Sequence, residues 1–341
     1  MSASIRQAKG TLLLGENFFS IEKAAKIIKE GGLVAFPTET VYGLGAAVTN
    51  VEAVNRIFLA KGRPADNPLI VHLSAPGQLT EVANYVPEIA YNLAEQFWPG
   101  PLSMVLPRAQ NIPAAVCAGL STVAVRMPDH RVALELIRIA GVPIAAPSAN
   151  RSGKPSPTSF RHVLDDLAGK IDAVIKSKAC SVGVESTVLD LTGSIPVILR
   201  PGGISREQLE EALGQKVLVS GAIGFAGRPM SPGMKYRHYS PRAPLILITG
   251  PEQRRRVLVK SLTDYYQQQG LKVASLSSVI DKTTPLKKRS EHFAANLYHA
   301  LRQLDFQGVD LILAEETDTA GLGLAVMNRL RKAATKVLKV L

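Results

Sequence analysis

Residues 31–73 read GGLVAFPTETVYGLGAAVTNVEAVNRIFLAKGRPADNPLIVHL, and this stretch decides the fold class. Leu33–Phe36 is a short apolar run, the pattern of a strand covered on both faces. It leads into a polar, Gly-punctuated segment, Pro37–Gly45, which predicts a turn. A helix is expected over Val51–Ala60, then a Lys-x-Arg-Pro loop, then a second apolar strand, Leu69–Leu73, carrying His72. Apolar strands that stop abruptly at hydroxyls, cations and glycines suggest a ligand pocket on a rigid frame.

The same alternation extends on both sides. Ser20–Glu30 is amphipathic, with Ile21, Ala24, Ala25 and Ile28 on one face. Further strands are expected at Ser103–Leu106, Val123–Arg126, Ile144–Ala146, Ala173–Ile175, Ser186–Leu191 and Val197–Arg200. Helices are expected at Pro87–Phe97, Arg131–Ala140, Ser159–Leu167 and Ser205–Leu213, and Ser205 with Gln208 spells a capping box. Helices between strands imply an α/β fold: an open sheet flanked by helices. Residues 214–242 are rich in Gly and Pro and read as a linker. Residues 243–341 resume the βα pattern and predict a smaller, Rossmann-like domain, with Gly323–Thr335 as its closing helix. The expected organisation is therefore a catalytic domain over 1–213, a linker over 214–242 and a C-terminal domain over 243–341.

Composition narrows the function classes. Of 341 residues, 40 are Lys or Arg and 28 are Asp or Glu, a net charge of +12. That suits a polyanionic partner such as ATP or RNA, although on charge alone a solvated basic surface accounts for it slightly better. The two cysteines, Cys117 and Cys180, argue against a disulfide scaffold and fit a reducing cytosol. The N-terminus lacks a signal-like apolar run, and no stretch approaches 18 apolar residues, so a soluble, cytoplasmic chain is expected.

The polar residues inside apolar segments carry the chemistry. Strand alternation puts Thr122, Ala124 and Arg126 on one face and Val123 and Val125 on the other. An arginine in such a strand needs a partner. A structural salt bridge and capture of a substrate carboxylate are equally compatible with it. His72 shares a face with Ile70. Lys61 and Arg63 set two cations near one spot, as phosphate recognition requires. Residues 145–159, AAPSANRSGKPSPTS, offer hydroxyls and backbone N–H groups to an anion. Glu185 and Asp190 are carboxylates able to reach a metal through water. No HExxH, CxxC or GxSxG motif is present. Cations, hydroxyls and amides without a nucleophile–base pair suit a reaction driven by positioning and charge stabilisation.

In chain order the motifs are PTETVYGLG, KGRPADNPL, FWPGPLS, VAVRMPDH, APSANRSGKPSPTS, GVESTVLDL and RPGG. Together they resemble the YrdC-type threonylcarbamoyl-AMP synthases. SPGMKYRHYSP and GLGLAVMNRLRKAA extend the resemblance to the long, two-domain members. The resemblance implies a nucleotidyltransferase that joins L-threonine, bicarbonate (or CO2) and ATP into threonylcarbamoyl-AMP and pyrophosphate. A partner enzyme would then pass the threonylcarbamoyl group to an adenosine in tRNAs that read codons beginning with A.

Carried over by motif, threonine would meet Thr40, His72, Arg126, Ala146 (through its backbone) and Ser186. ATP would meet Lys61, Arg63, Asn67, Thr122, Ser148, Asn150, Ser156 and Arg200, with Tyr236 of the linker closing over the site. Lys61, Arg63 and Arg200 would stabilise charge, and no residue is assigned as nucleophile or base. A magnesium ion would arrive with ATP. This chain departs from the family at Gly62, where a second basic residue is common, and at Lys176-Ser177-Lys178, where Asp-Gly-Gly is common. Two rival readings are an RNA-binding module without catalysis and a carbamoyl-adenylate-forming enzyme.

Overall fold

The computed structural model describes residues 6–8, 10–220, 238–280 and 289–341, which fall into two compact units. The first comprises the described residues of Met1–Ser152 and Ser156–Lys235; the second comprises those of Gly153–Pro155 and Tyr236–Leu341.

The first unit is built on a mixed sheet. Its strands are β1 (Arg6–Ala8), β2 (Thr11–Leu14), β3 (Val34–Phe36), β4 (Gly43–Ala47), β5 (Ile70–His72), β6 (Leu102–Pro107), β7 (Thr122–Arg126), β8 (Ile144–Ala146), β9 (Ala173–Ile175), β10 (Thr187–Asp190), β11 (Val197–Arg200) and β12 (Leu218–Val219). They lie in the order β1-β2-β9-β3-β4-β8-β5-β7-β6-β10-β11-β12. The expected turn over Pro37–Gly45 therefore holds only as far as Tyr42. Its last three residues open β4, which runs antiparallel to β3 with Val34 opposite Gly45. A Cβ on Gly45 would stand 2.7 Å from Ile144 and 2.8 Å from Phe36. The glycines that suggested a turn instead permit close packing in the middle of a sheet. β12 also lies beyond the expected domain end at residue 213 and pairs in parallel with β11.

Local signals fix the helices. Asn17 caps helix Phe18–Lys29 by accepting from the Ser20 amide, and Ile21, Ala24, Ala25 and Ile28 are buried. Helix Val51–Lys61 ends at Gly62, whose φ of 59° lets the chain reverse there. The departure at Gly62 thus has a backbone reason. The capping box of Ser205 and Gln208 forms at the start of helix Arg206–Leu213.

The two sheet faces differ. Leu69, Val71, Val123 and Val125 point into the larger core, together with residues of helices Val51–Lys61 and Glu88–Phe97. On the opposite face, helices Phe18–Lys29 and Arg131–Ala140 cover β2, β9, β3, β4 and β8. Beyond β8 that same face carries a small apolar cluster, Ile70, Val105, Ala124, Val188 and Leu199, drawn from strands alone among the described residues. The helical cover stops there and the polar site begins.

The second unit carries a parallel four-stranded sheet: β13 (Leu245–Thr249), β14 (Val273–Ser275), β15 (Leu311–Glu315) and β16 (Lys336–Lys339), in the order β14-β15-β13-β16. The expected closing helix spans Gly323–Ala333, and the chain then forms β16, a strand that the charged ends Lys336 and Lys339 obscure in the sequence. Arg329, fully buried, lies 5.6 Å from the ring centroid of Tyr239, which in turn stacks on Tyr298.

Candidate active site

Strand register assembles the first part of the site. His72 and Arg126 are direct partners on the parallel strands β5 and β7, and Ile144 of β8 lies on the other side of His72. Partners in register share a face, so the imidazole and the guanidinium rise together beside the small apolar cluster. Arg126 is deeply buried. Its Nε donates to the Gly100 carbonyl at 3.1 Å and its Nη1 to the Thr40 hydroxyl at 3.0 Å. Its Nη2 lies 2.5 Å from Glu39 Oε2, an ion pair without hydrogen-bond alignment. Thr40 Oγ1 is also 2.8 Å from Thr38 Oγ1. His72 hydrogen-bonds the Ile70 carbonyl through Nδ1 at 3.1 Å, with Phe36 edge-on at 6.0 Å. Burial, helped by the Arg126 charge, pulls its pKa down to about 3, so the ring is neutral at physiological pH.

Ser186 stands at the mouth of β10. Its hydroxyl is 2.8 Å from Ser103 Oγ, and Arg200 donates to both its hydroxyl (3.1 Å) and its carbonyl (2.9 Å). The RPGG motif makes this possible. A Cβ on Gly202 would come within 2.2–2.3 Å of backbone atoms of Glu185, Ser186 and Thr187, so only glycine lets the two segments touch. Ser156 donates to Glu185 at 2.5 Å, tying the Ser/Asn-rich loop to the same corner.

The loop cations also have fixed places. Lys61, the last residue of its helix, is almost completely buried; its Nζ donates to the carbonyls of Ser148 and Asn150. Ser148 Oγ donates to Asn150 Oδ1 at 2.6 Å. Arg63 donates to the carbonyls of Asn67 and Pro68 at 3.2 and 2.9 Å. Both cations shape the loops that carry the expected phosphate ligands. Asn67 is 2% exposed, yet among the described residues neither its amide nitrogen nor its oxygen has a hydrogen-bond partner. A buried primary amide left open on both sides is costly unless a ligand completes it.

Of the expected site residues, Thr40, His72 and Arg126 thus form one cluster, Ser186 and Arg200 a second, and Lys61, Ser148 and Asn150 a third, with Arg63 and Asn67 sharing one loop. Ala146 ends β8, where its in-register neighbour is Ile70, and Thr122 opens β7 half-buried. Tyr236 lies outside the described residues. Asp190 accepts from the amide and hydroxyl of Thr192, and it does not join Glu185 in a metal centre: among the described residues, no group of three or more His, Cys, Asp or Glu could hold an ion. Cys117 and Cys180 are free, buried thiols, each pushed up to about 12 by burial. No helix is long and apolar enough to cross a membrane among the described residues.

The sequence reading missed Glu39, Ser103 and Gly100. Glu39 was visible as a lone acid within an otherwise uncharged run, PTETVYGLG. Its partner was not visible, because Arg126 lies 87 positions away.

Comparison with known proteins gives this geometry a context. A family model described as "Telomere recombination", covering the Sua5, YciO and YrdC proteins, matches residues 26–202. A second, "Threonylcarbamoyl-AMP synthase, C-terminal domain", matches residues 204–335. The threonylcarbamoyl-AMP synthase of Pyrococcus abyssi is 50% identical over 327 residues, covering 94% of this chain and 96% of that one. The Bacillus subtilis enzyme of the same name is 47% identical, with 94% of each chain covered. The crystal structure of P. abyssi Sua5 complexed with L-threonine superposes with a TM-score of 0.90, covering 97% of this chain and all of that one. The chain belongs to the threonylcarbamoyl-AMP synthase family, in its two-domain form.

Proposed function

We propose that the polar clusters on this sheet face make threonylcarbamoyl-AMP, and that the observation carrying the assignment is the buried Arg126 guanidinium held by Thr40 and Gly100. The reaction joins L-threonine, bicarbonate or CO2, and ATP, and releases pyrophosphate. Arg126 takes the threonine carboxylate, a charge-assisted contact of about 1.5–3 kcal/mol. His72, neutral and hydrogen-bonded to the Ile70 carbonyl, lines the amino-acid pocket without adding charge. Ala146 (through its backbone) and Ser186 complete that pocket.

The nucleotide lies along Lys61, Arg63, Asn67, Thr122, Ser148, Asn150, Ser156 and Arg200. The open amide of Asn67 supports this placement, since it offers both a donor and an acceptor. Threonine nitrogen gains the carboxyl group as a carbamate, and a carbamate oxygen attacks the α-phosphorus as pyrophosphate leaves. The chain contributes orientation and fixed positive charge to this step. A magnesium ion arriving with ATP would neutralise phosphate charge and would be held chiefly by phosphate oxygens and water, since among the described residues no group of three or more His, Cys, Asp or Glu could hold one. The product passes in the cytoplasm to a partner enzyme that modifies tRNA, and the basic charge of this chain favours a tRNA contact.

The test is pyrophosphate release from ATP and bicarbonate, with and without L-threonine, in the native chain and in Arg126→Ala. Release that requires threonine and collapses in the variant supports the assignment. Release independent of threonine would overturn it in favour of a carbamoyl-adenylate chemistry.

A further inference from the structure

The residue this function leaves unexplained is Glu39. The residue is 6% exposed, and among the described residues neither carboxylate oxygen accepts an aligned hydrogen bond. Among the described residues its ion-pair partner is the Arg126 guanidinium, at 2.5 Å from Oε2. A carboxylate taken out of water normally fills its acceptor sites with backbone amides or hydroxyls. Here the hydroxyls that flank Glu39 in the chain are committed elsewhere: Thr38 donates to the Val41 carbonyl at 2.7 Å, and Thr40, which accepts from Arg126, gives its own proton to Thr38 Oγ1 at 2.8 Å. Cys180, which feels the Glu39 charge, is a buried thiol held neutral. A buried anion with open acceptor sites, set beside a buried cation, is costly to maintain and marks a place where a ligand finishes the structure.

The ligand chemistry follows from the pair. If Arg126 alone faced an incoming amino acid, it would bind the carboxylate and leave the α-ammonium without a counter-charge. If Glu39 served only to neutralise Arg126, it would compete with the substrate carboxylate for the same guanidinium. Both difficulties vanish when the amino acid docks as a zwitterion against the pair, carboxylate to Arg126 and ammonium to Glu39. The four charges then alternate around a ring. We propose that Glu39 is a specificity-determining substrate ligand that binds the α-ammonium of the amino acid and so selects zwitterions over other carboxylates. This rests on the threonine reading of the pocket above.

The consequence separates Glu39 from a mere prop for Arg126. A prop would affect every carboxylate ligand equally. An ammonium ligand distinguishes threonine from its α-hydroxy counterpart, 2,3-dihydroxybutyrate, and leaves the latter's binding intact when the Glu39 charge is removed.

The experiment is calorimetric titration of the full chain with L-threonine, 2,3-dihydroxybutyrate and L-threoninamide, in the native protein and in Glu39→Gln and Glu39→Asp. In the native chain, dihydroxybutyrate should bind at least about tenfold more weakly than threonine, in line with loss of one charged hydrogen bond. Glu39→Gln should weaken threonine to that level while leaving dihydroxybutyrate unchanged or tighter. The native comparison needs no variant, so it stands even if Glu39→Gln does not fold. Equal binding of threonine and dihydroxybutyrate by the native chain would overturn the proposal, as would a parallel loss of both ligands in a folded Glu39→Gln. Failure of the threonine reading itself looks different: the native chain would bind none of the three and release no threonine-dependent pyrophosphate.

Discussion

His72 and Arg126 face each other in register on adjacent parallel strands, one ring held neutral and one guanidinium held charged within the same buried polar patch. The strands place them side by side, and burial together with the Arg126 charge decides that the histidine cannot also be cationic.

That relationship predicts a pH signature. The unfolded chain protonates His72 near its ordinary pKa of 6.5, whereas the native chain resists until about pH 3. The unfolded state therefore binds more protons across this window, and stability falls as pH drops from 6.5 towards 3. His72 alone should contribute a loss of roughly 1.6 kcal/mol between pH 6.5 and pH 5. Denaturant titrations of the native chain and of His72→Gln at both pH values should show a steeper decline in the native chain by about that amount. Parallel declines would mean that the histidine gains solvent or a counter-charge in solution.

Arg126→Ala should damage both catalysis and folding, for separable reasons. It removes the substrate carboxylate's partner and strands Glu39 as an unpaired buried anion, at a cost of about 3–5 kcal/mol. Adding Glu39→Gln should restore much of the stability and none of the threonine-dependent turnover. Recovery of turnover in the double variant would remove Arg126 from the substrate site.

Much of this was legible in the sequence because its cause is local. Strand alternation placed Arg126 and His72 on the face opposite Val125 and Val71, and the cluster memberships agree. The Ser205–Gln208 capping box is a three-residue rule, and it formed. β4 was misread because glycine signals a turn and close packing with the same letter. Only the position of Ile144 and Phe36 in space distinguishes the two. Glu39 escaped for the complementary reason, since the value of a charge depends on a partner that the sequence does not place beside it. The motif resemblance supplied the ligand names, and register and burial supplied the arrangement.

Lys61 should behave as a loop anchor as well as a charge. Its ammonium holds the carbonyls of Ser148 and Asn150, and the Ser152 amide returns to its own carbonyl at 2.8 Å. Lys61→Met keeps the stem and deletes the donors. Amide exchange across residues 148–152 should accelerate, and ATP affinity should fall by about tenfold or more, while threonine affinity changes little. Arginine should not rescue it, because the planar fork does not fit a site shaped for a compact ammonium. Unchanged exchange in Lys61→Met would show that the loop holds itself.

The sharpest steric prediction concerns Gly202. Its neighbours within 2.3 Å of an added Cβ are all backbone atoms of Glu185, Ser186 and Thr187, with no flexible side chain to yield. Gly202→Ala must therefore push the RPGG segment away from the start of β10, and with it the Arg200 donors that grip Ser186. The cost should reach about 2 kcal/mol or more in unfolding free energy. The functional loss should show in both substrates, because Arg200 belongs to the nucleotide site and Ser186 to the amino-acid pocket. Gly203→Ala is the matched control: its added Cβ would meet the Pro101 side chain at 2.5 Å rather than backbone, so it should destabilise without separating Arg200 from Ser186. A Gly202→Ala protein with native KM for both ATP and threonine would show that the contact between the two segments is not what aligns the site.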